Sequence, residues 1–271
     1  MPEATVNGIR VAYDVHGEGE PVLLVCGLGQ PAFTWHASIL PGLLAADYRV
    51  VTFDNRGMAP SDSPPAPYTV AEMADDTAAL IEHLDLAPCR IVGYSLGAWI
   101  AEVLAADRPD LVRAAVCIGG LNPSTEWEKV ECEYGRDLAA LDVPLPRYQG
   151  LMEVLVYLPR HAVQDDDQVR GFVELFGSDP PWGNPGRLGQ WEAAAAWTRQ
   201  ADEAERWRRI SVPCLALAFE HDIDSPPRHA ERAIALVPGG RFVEIPDATH
   251  MGPFEQPDAV TTTLTTFFAD T

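Results

Sequence analysis

A chain of 271 residues, 47% of them hydrophobic, is long enough to bury a large core and is not expected to be disordered. Its formal charge of −21, with no long basic run to offset it, repels phosphate backbones and anionic membrane surfaces and sets nucleic-acid partners aside. No apolar stretch approaches the roughly 20 residues needed to span a bilayer, and residues 1–10 lack a charged-then-apolar leader pattern, so a soluble cytoplasmic protein is expected.

In chain order, the first signal is Asn7-Gly8 between two short apolar runs, residues 4–6 and 9–13, which reads as a hairpin. Short aliphatic runs then recur at residues 22–25, 49–53, 89–92, 114–118, 214–218 and 242–245, dense enough to be strands covered on both faces. Helical segments fit between and after them at 35–45, 70–84, 96–106, 226–236 and 257–268. The alternation predicts an α/β fold, a mainly parallel sheet with helices on both sides.

One connection interrupts the rhythm. Residues 121–207 contain no such strand but hold five of the seven tryptophans, Trp127, Trp182, Trp191, Trp197 and Trp207. So long an excursion in a compact domain has to be structured. It reads as a helical lid inserted into a core formed by residues 1–120 and 208–271. Near its end, Arg199, Arg206, Arg208 and Arg209 read as a solvated helix face paired with Asp202, Glu203 and Glu205, with a docking patch as the alternative. Cys26, Cys89, Cys117, Cys132 and Cys214, odd in number and without Cys-x-x-Cys spacing, read as reduced core thiols. The seven histidines lack metal-site clustering, so neither a metal nor a cofactor is expected.

Gly93-Tyr94-Ser95-Leu96-Gly97 sits between an apolar run and a helical stretch. A serine hydroxyl becomes a useful nucleophile when a tight strand-to-helix turn exposes it and a base removes its proton. Glycine two positions to either side relieves the crowding of such a turn, and the following helix aims its first amides at the reacting oxygen. Ligands of parallel sheets sit beyond the carboxyl ends of the strands. Asp222 and His250 both lie just past later strands, which gives the order Ser95, Asp222, His250.

On these motifs the chain resembles the α/β-hydrolase superfamily. Cys26-Gly27-Leu28-Gly29 is similar to the family's His-Gly oxyanion loop, with cysteine in place of histidine. The run Asp54 to Asp62 is similar to its D-x-R-G-x-G-x-S stretch, with Ala59 for the second glycine. Glu220 to Pro227 resembles the acid loop, and His250 with Glu255 and Pro257 the histidine loop. Within the superfamily the likeness is to small esterases, cofactor-free perhydrolases and hydrolases of bacterial polyketide pathways.

The resemblance implies a Ser95–His250–Asp222 triad, oxyanion amides on Leu28 and Leu96, and acyl transfer on an apolar ester, lactone or thioester. Asp224 competes for the acid role; Asp222 is preferred because Ser225 before Pro226-Pro227 looks like a helix cap, which would place Asp224 at the start of that helix. Phe33, Trp35, Tyr94, Trp182, Trp191 and Trp197 are the candidate pocket residues. Two other readings stay open: a non-hydrolytic enzyme of the same fold, such as a perhydrolase, cyclase or eliminase, and a ligand-binding receptor or pseudoenzyme.

Overall fold

The structure, a computed structural model, describes residues 1–141, 146–160, 162–176 and 185–271. Its hairpin joins β1 (Glu3–Val6) to β2 (Ile9–His16), and Asn7 and Gly8 both have positive φ, as a two-residue turn of this twist requires. Six further strands follow: β3 (Pro21–Val25), β4 (Arg49–Phe53), β5 (Cys89–Tyr94), β6 (Val112–Ile118), β7 (Cys214–Phe219) and β8 (Arg241–Ile245). They form one sheet in the order β1-β2-β4-β3-β5-β6-β7-β8, antiparallel at the β1/β2 and β2/β4 pairs and parallel elsewhere.

The period of two along each strand separates two cores. Leu23, Val51, Ile91, Ala115 and Ala216 face one hydrophobic layer, while Val22, Val50, Val92, Val116 and Leu217 face the other. The first is covered by α2 (Val70–His83) and α3 (Leu96–Asp107); the second by α1 (Leu40–Ala45) and α11 (Pro257–Ala269). From β3 the chain steps out to β4 and then returns to β5 on the other side of β3. The crevice where ligands of open α/β sheets bind therefore opens between the loops after β3 and β5.

Two helix boundaries differ from expectation. The segment over 35–45 splits into a 3₁₀ turn (Ala32–Ala37) and α1, because Ser38 leaves helical geometry and donates its hydroxyl to the Pro253 carbonyl at 2.6 Å. The helix expected from 226 is α9 (Pro227–Ile234), capped by Pro226 rather than Ser225. A short α10 (Gly252–Glu255) also follows β8.

Between β6 and β7 the described residues are helical: α4 (Glu126–Leu141), α5 (Pro146–Tyr157), α6 (Asp166–Phe176), α7 (Gly186–Trp197) and α8 (Glu203–Arg209). Of the arginines near the end of this segment, Arg206 keeps the expected Asp202 at 3.8 Å, but the closer partners lie outside the helix. Arg206 is buried against Glu102 of α3 at 2.8 Å, Arg199 pairs with Glu133 and Arg209 with Asp107. All five cysteines are buried and unpaired. Among the described residues no helix is long and apolar enough to cross a membrane.

Candidate active site

β5 delivers Ser95 into a strand-to-helix turn with φ +54° and ψ −120°, a backbone conformation that costs a serine on the order of 1–3 kcal/mol. Two glycines make the turn possible. A Cβ on Gly93 would run into the Gly97 carbonyl, and one on Gly97 into the Val25 carbonyl of β3. Ser95 makes no side-chain cap bond to α3, so it is not serving as a helix cap, and it stays half exposed between buried Tyr94 and Leu96.

The loops after β7 and β8 bring Asp222 and His250 together: His250 Nδ1 lies 2.7 Å from Asp222 Oδ2, with both side chains buried. The other Asp222 oxygen accepts the amides of Asp224 and Ser225 at 2.9 and 2.8 Å, which fixes the carboxylate plane. Burial away from water works against an imidazolium, but Asp222, with Asp224 and Glu131 behind it, outweighs that cost and raises His250 to about 9. Tyr94 donates its hydroxyl to the His250 carbonyl at 3.0 Å, and Glu255 holds Thr249 next to it. Consecutive glycines tie the pieces together: a Cβ on Gly119 would lie 3.1 Å from His250 Cε1, and one on Gly120 2.7 Å from the Ser95 carbonyl.

The sequence matches the Alpha/beta hydrolase family over residues 22–263. The chain belongs to that family. It is 37% identical over 265 residues to BpoC of Mycobacterium tuberculosis, which carries a non-heme bromoperoxidase name, covering 96% of this chain and 98% of that one. The crystal structure of BpoC superposes with a TM-score of 0.87 at 36% identity, covering 96% of each chain. A pyrrolizixenacetamide deacetylase of Xenorhabdus hominickii is 27% identical, covering 98% of this chain and 97% of that one. A rhodomycin D methylesterase of Streptomyces peucetius is 26% identical, covering 93% of each.

In this alpha/beta hydrolase the loop after β3 lies against the serine: a Cβ on Gly27 would sit 3.3 Å from Ser95 Cβ. Cys26, where the family resemblance expects histidine, is buried and receives the Trp35 indole N–H at its Sγ, 3.1 Å away, while Asn55 donates to its carbonyl. Asp54 and Arg56 are structural partners, Asp54 accepting the Ala32 amide and Arg56 pairing with buried Asp76.

The expected pocket aromatics separate. Tyr94 is next to His250, with ring centroids 5.2 Å apart. Trp35 is 0% exposed and belongs to the core, whereas Phe33 is 68% exposed. Trp191 packs on Gly135 of α4, and Trp197 stacks on Trp99 at 5.9 Å beneath the Arg206 guanidinium. Trp35 and Trp197 are thus packing residues, because their surfaces are consumed by the core. Trp182 lies outside the described residues.

Sequence reasoning missed the residues that α4 and α5 bring to the histidine. Tyr157 stacks on the His250 ring at 5.5 Å, and its carbonyl accepts the Thr249 hydroxyl. Trp127 donates its indole N–H to Asp224 at 2.6 Å. Asp224 is therefore buried at the site, not placed at a helix start, and Ser225 donates to Asn122 instead of capping α9. Glu131 and Glu153, each one helical turn from Trp127 or Tyr157, are held above the ordinary carboxylate range by burial, Glu153 at about 7. The i, i+4 spacing with an aromatic was the available signal. On the loops after β7 and β8 themselves, Glu220, His221 and Asp247 gather with ligand atoms within 4.8 Å of one another, and all three are exposed.

Proposed function

We propose that the chain is a serine hydrolase of small carboxylic esters, lactones or thioesters, working through an acyl-enzyme on Ser95. The observation that carries this reading is the buried His250–Asp222 pair beside a serine held at positive φ. With its Nδ1 hydrogen directed at Asp222, a neutral His250 keeps Nε2 as an acceptor. That nitrogen takes the Ser95 proton as Oγ attacks the substrate carbonyl, and the amides of Leu28 and Leu96 stabilise the oxyanion. The bond to the leaving group breaks as His250 returns the proton to it. Water, deprotonated in turn by His250, then releases the acid.

Residues 121–207 act as the cover of this site, with α4 and α5 facing His250. Their carboxyls support a substrate that offers hydrogen-bond donors on that side, in place of a purely apolar acyl group. The similarity to BpoC favours a second reading, in which peroxide replaces water at the acyl-enzyme and a peracid is released. Labelling with a fluorophosphonate, followed by mapping of the adduct, tests the common core of both: modification of Ser95 is expected, and its absence in folded protein refutes them. Product analysis with and without peroxide separates the two.

A further inference from the structure

Three successive amides form the loop after β3, and the outer two are already engaged. Gly27 N–H donates to Gln30 Oε1 at 2.8 Å, and Gly29 N–H donates to Gln190 Oε1 at 2.9 Å. Leu28 lies between them, in a turn that Gly29 closes at φ +66°. Gln30 belongs to the loop itself. Gln190 does not: it comes from α7, 161 residues away, and is 1% exposed.

The orientation of the Gln190 amide is fixed, because its other end donates from Nε2 to the Arg56 carbonyl at 2.8 Å; a flipped amide would set N–H against N–H and oxygen against oxygen. The helix that carries it cannot slide. A Cβ on Gly186 would run into the Gly57 carbonyl, and one on Gly189 into the Tyr68 ring, so α7 rests directly on the loop after β4. Arg56 is in turn locked to Asp76, with Nη2 at 2.8 Å from the carboxylate.

We infer that Gln190 is a positioning residue for the oxyanion loop: by holding the Gly29 amide it leaves the Leu28 amide aimed at the serine, and it makes α7 part of the catalytic framework. This rests on the serine-hydrolase reading. The test compares Gln190→Met, which keeps the volume and removes both bonds, with Gln190→Glu. As a neutral acid the glutamate still accepts from Gly29 and donates to Arg56.

With p-nitrophenyl butyrate as probe, Gln190→Met should lower kcat about 10- to 100-fold, less than the roughly 100- to 1,000-fold loss on deleting an oxyanion donor outright, because the Leu28 amide is loosened and not removed. KM should stay within about twofold, since ground-state binding is untouched, and the pH inflection should not move, since His250 is untouched. Gln190→Glu should keep most of the activity. Amide hydrogen exchange supplies a readout independent of turnover: protection at Gly29 should fall in the Met variant and persist in the Glu variant.

An unchanged kcat in Gln190→Met overturns the inference, as does unchanged protection at Gly29 or equal losses of kcat in both variants. If wild-type protein neither turns over the ester nor labels at Ser95, the hydrolase reading fails, and the exchange result still decides whether Gln190 holds the loop. If Gln190→Met does not fold, Gln190→Glu decides: retained protection at Gly29 with retained kcat supports the role, and loss of either overturns it.

Discussion

The helices between β6 and β7 are fastened to the core in two different ways. At α7 and α8 the contact is dry and closely fitted: backbone rests on backbone at Gly57 and Gly186, Trp197 stacks on Trp99, and Arg206 with Trp207 closes on buried Glu102 at 2.8 and 3.0 Å. At α4 and α5 the contacts with the site loops are polar, with one indole on Asp224, one carbonyl on Thr249, and carboxyls that burial lifts out of their usual range. A buried ion pair resists any shift that would separate its charges. Half-buried groups such as Glu131 and Glu153 can change protonation instead. The first fastening sets geometry and the second sets the electrostatics around His250.

The largest expected effect lies where both fastenings converge. Ser95→Ala and His250→Ala should each lower kcat by about four to six orders of magnitude while circular dichroism stays native, because such residues act as a unit and contribute little to packing. Asp222→Asn should cost about 10⁴ by favouring the wrong histidine tautomer. Turnover near wild type in any of the three would dissolve the comparison, since neither fastening would then serve a triad.

Next in size is the dry contact. Arg206→Met strands Glu102, which burial already raises to about 7 against the partial relief from Arg206, and should destabilise the fold by about 3 kcal/mol in urea titrations at pH 7. The sign of the pH dependence follows from a raised carboxyl. The unfolded chain ionises near the ordinary value, so the native state loses stability as pH climbs from about 4.5 toward 7, and the variant should recover stability on acidification to pH 5. Stability that falls monotonically on acidification would count against an uncompensated Glu102.

The polar contact should express itself in pH rather than in stability. With His250 raised to about 9, kcat/KM should climb with pH through an inflection above the ordinary histidine range of about 6.5, not at it. The stability that the protonated histidine draws from Asp222 is fully present below about pH 6.5 and is lost as pH rises through about 9. Asp224→Asn removes one of the charges that raise His250, so the inflection should move toward acid while kcat changes by less than about tenfold. An inflection that stays in place would mean that Asp224 does not sense the imidazole. Smallest of all, chelation with EDTA should leave the rate unchanged, and a loss restored by a divalent ion would redirect attention to Glu220, His221 and Asp247.

The strands and the places of Ser95, Asp222 and His250 were legible because each depends on local pattern: aliphatic density for the sheet, glycine spacing for the turn at Ser95, position after a strand for Asp222 and His250. Asp222 could be preferred over Asp224 on the same kind of reasoning, although the reason itself, a Ser225 cap, is not what the fold uses. What could not be read was long-range. Trp35 and Trp197 look like any pocket aromatic in sequence, and only their burial, with Trp99 stacked on Trp197, identifies them as packing residues. Glu131 and Glu153 offer only their i, i+4 spacing to Trp127 and Tyr157, and that spacing does not name the histidine they approach. Gln190 carries no signal at all: its role exists only through Gly29 and Arg56, more than a hundred residues away.

The bare meeting of Gly57 with Gly186 also bears on how such enzymes can be recombined. Residues 121–207 look like a cassette that could be exchanged between relatives to move a substrate preference, but here one wall of the cassette has no side chain at the point of contact. A donor segment with any larger residue at position 186 would be pushed off the loop after β4, and the displacement would travel along α7 to the amides beside the serine. Chimeras of this chain therefore need the 54–62 loop and the inserted helices transplanted as a matched pair, although the two glycines that meet, Gly57 and Gly186, lie more than a hundred residues apart in sequence.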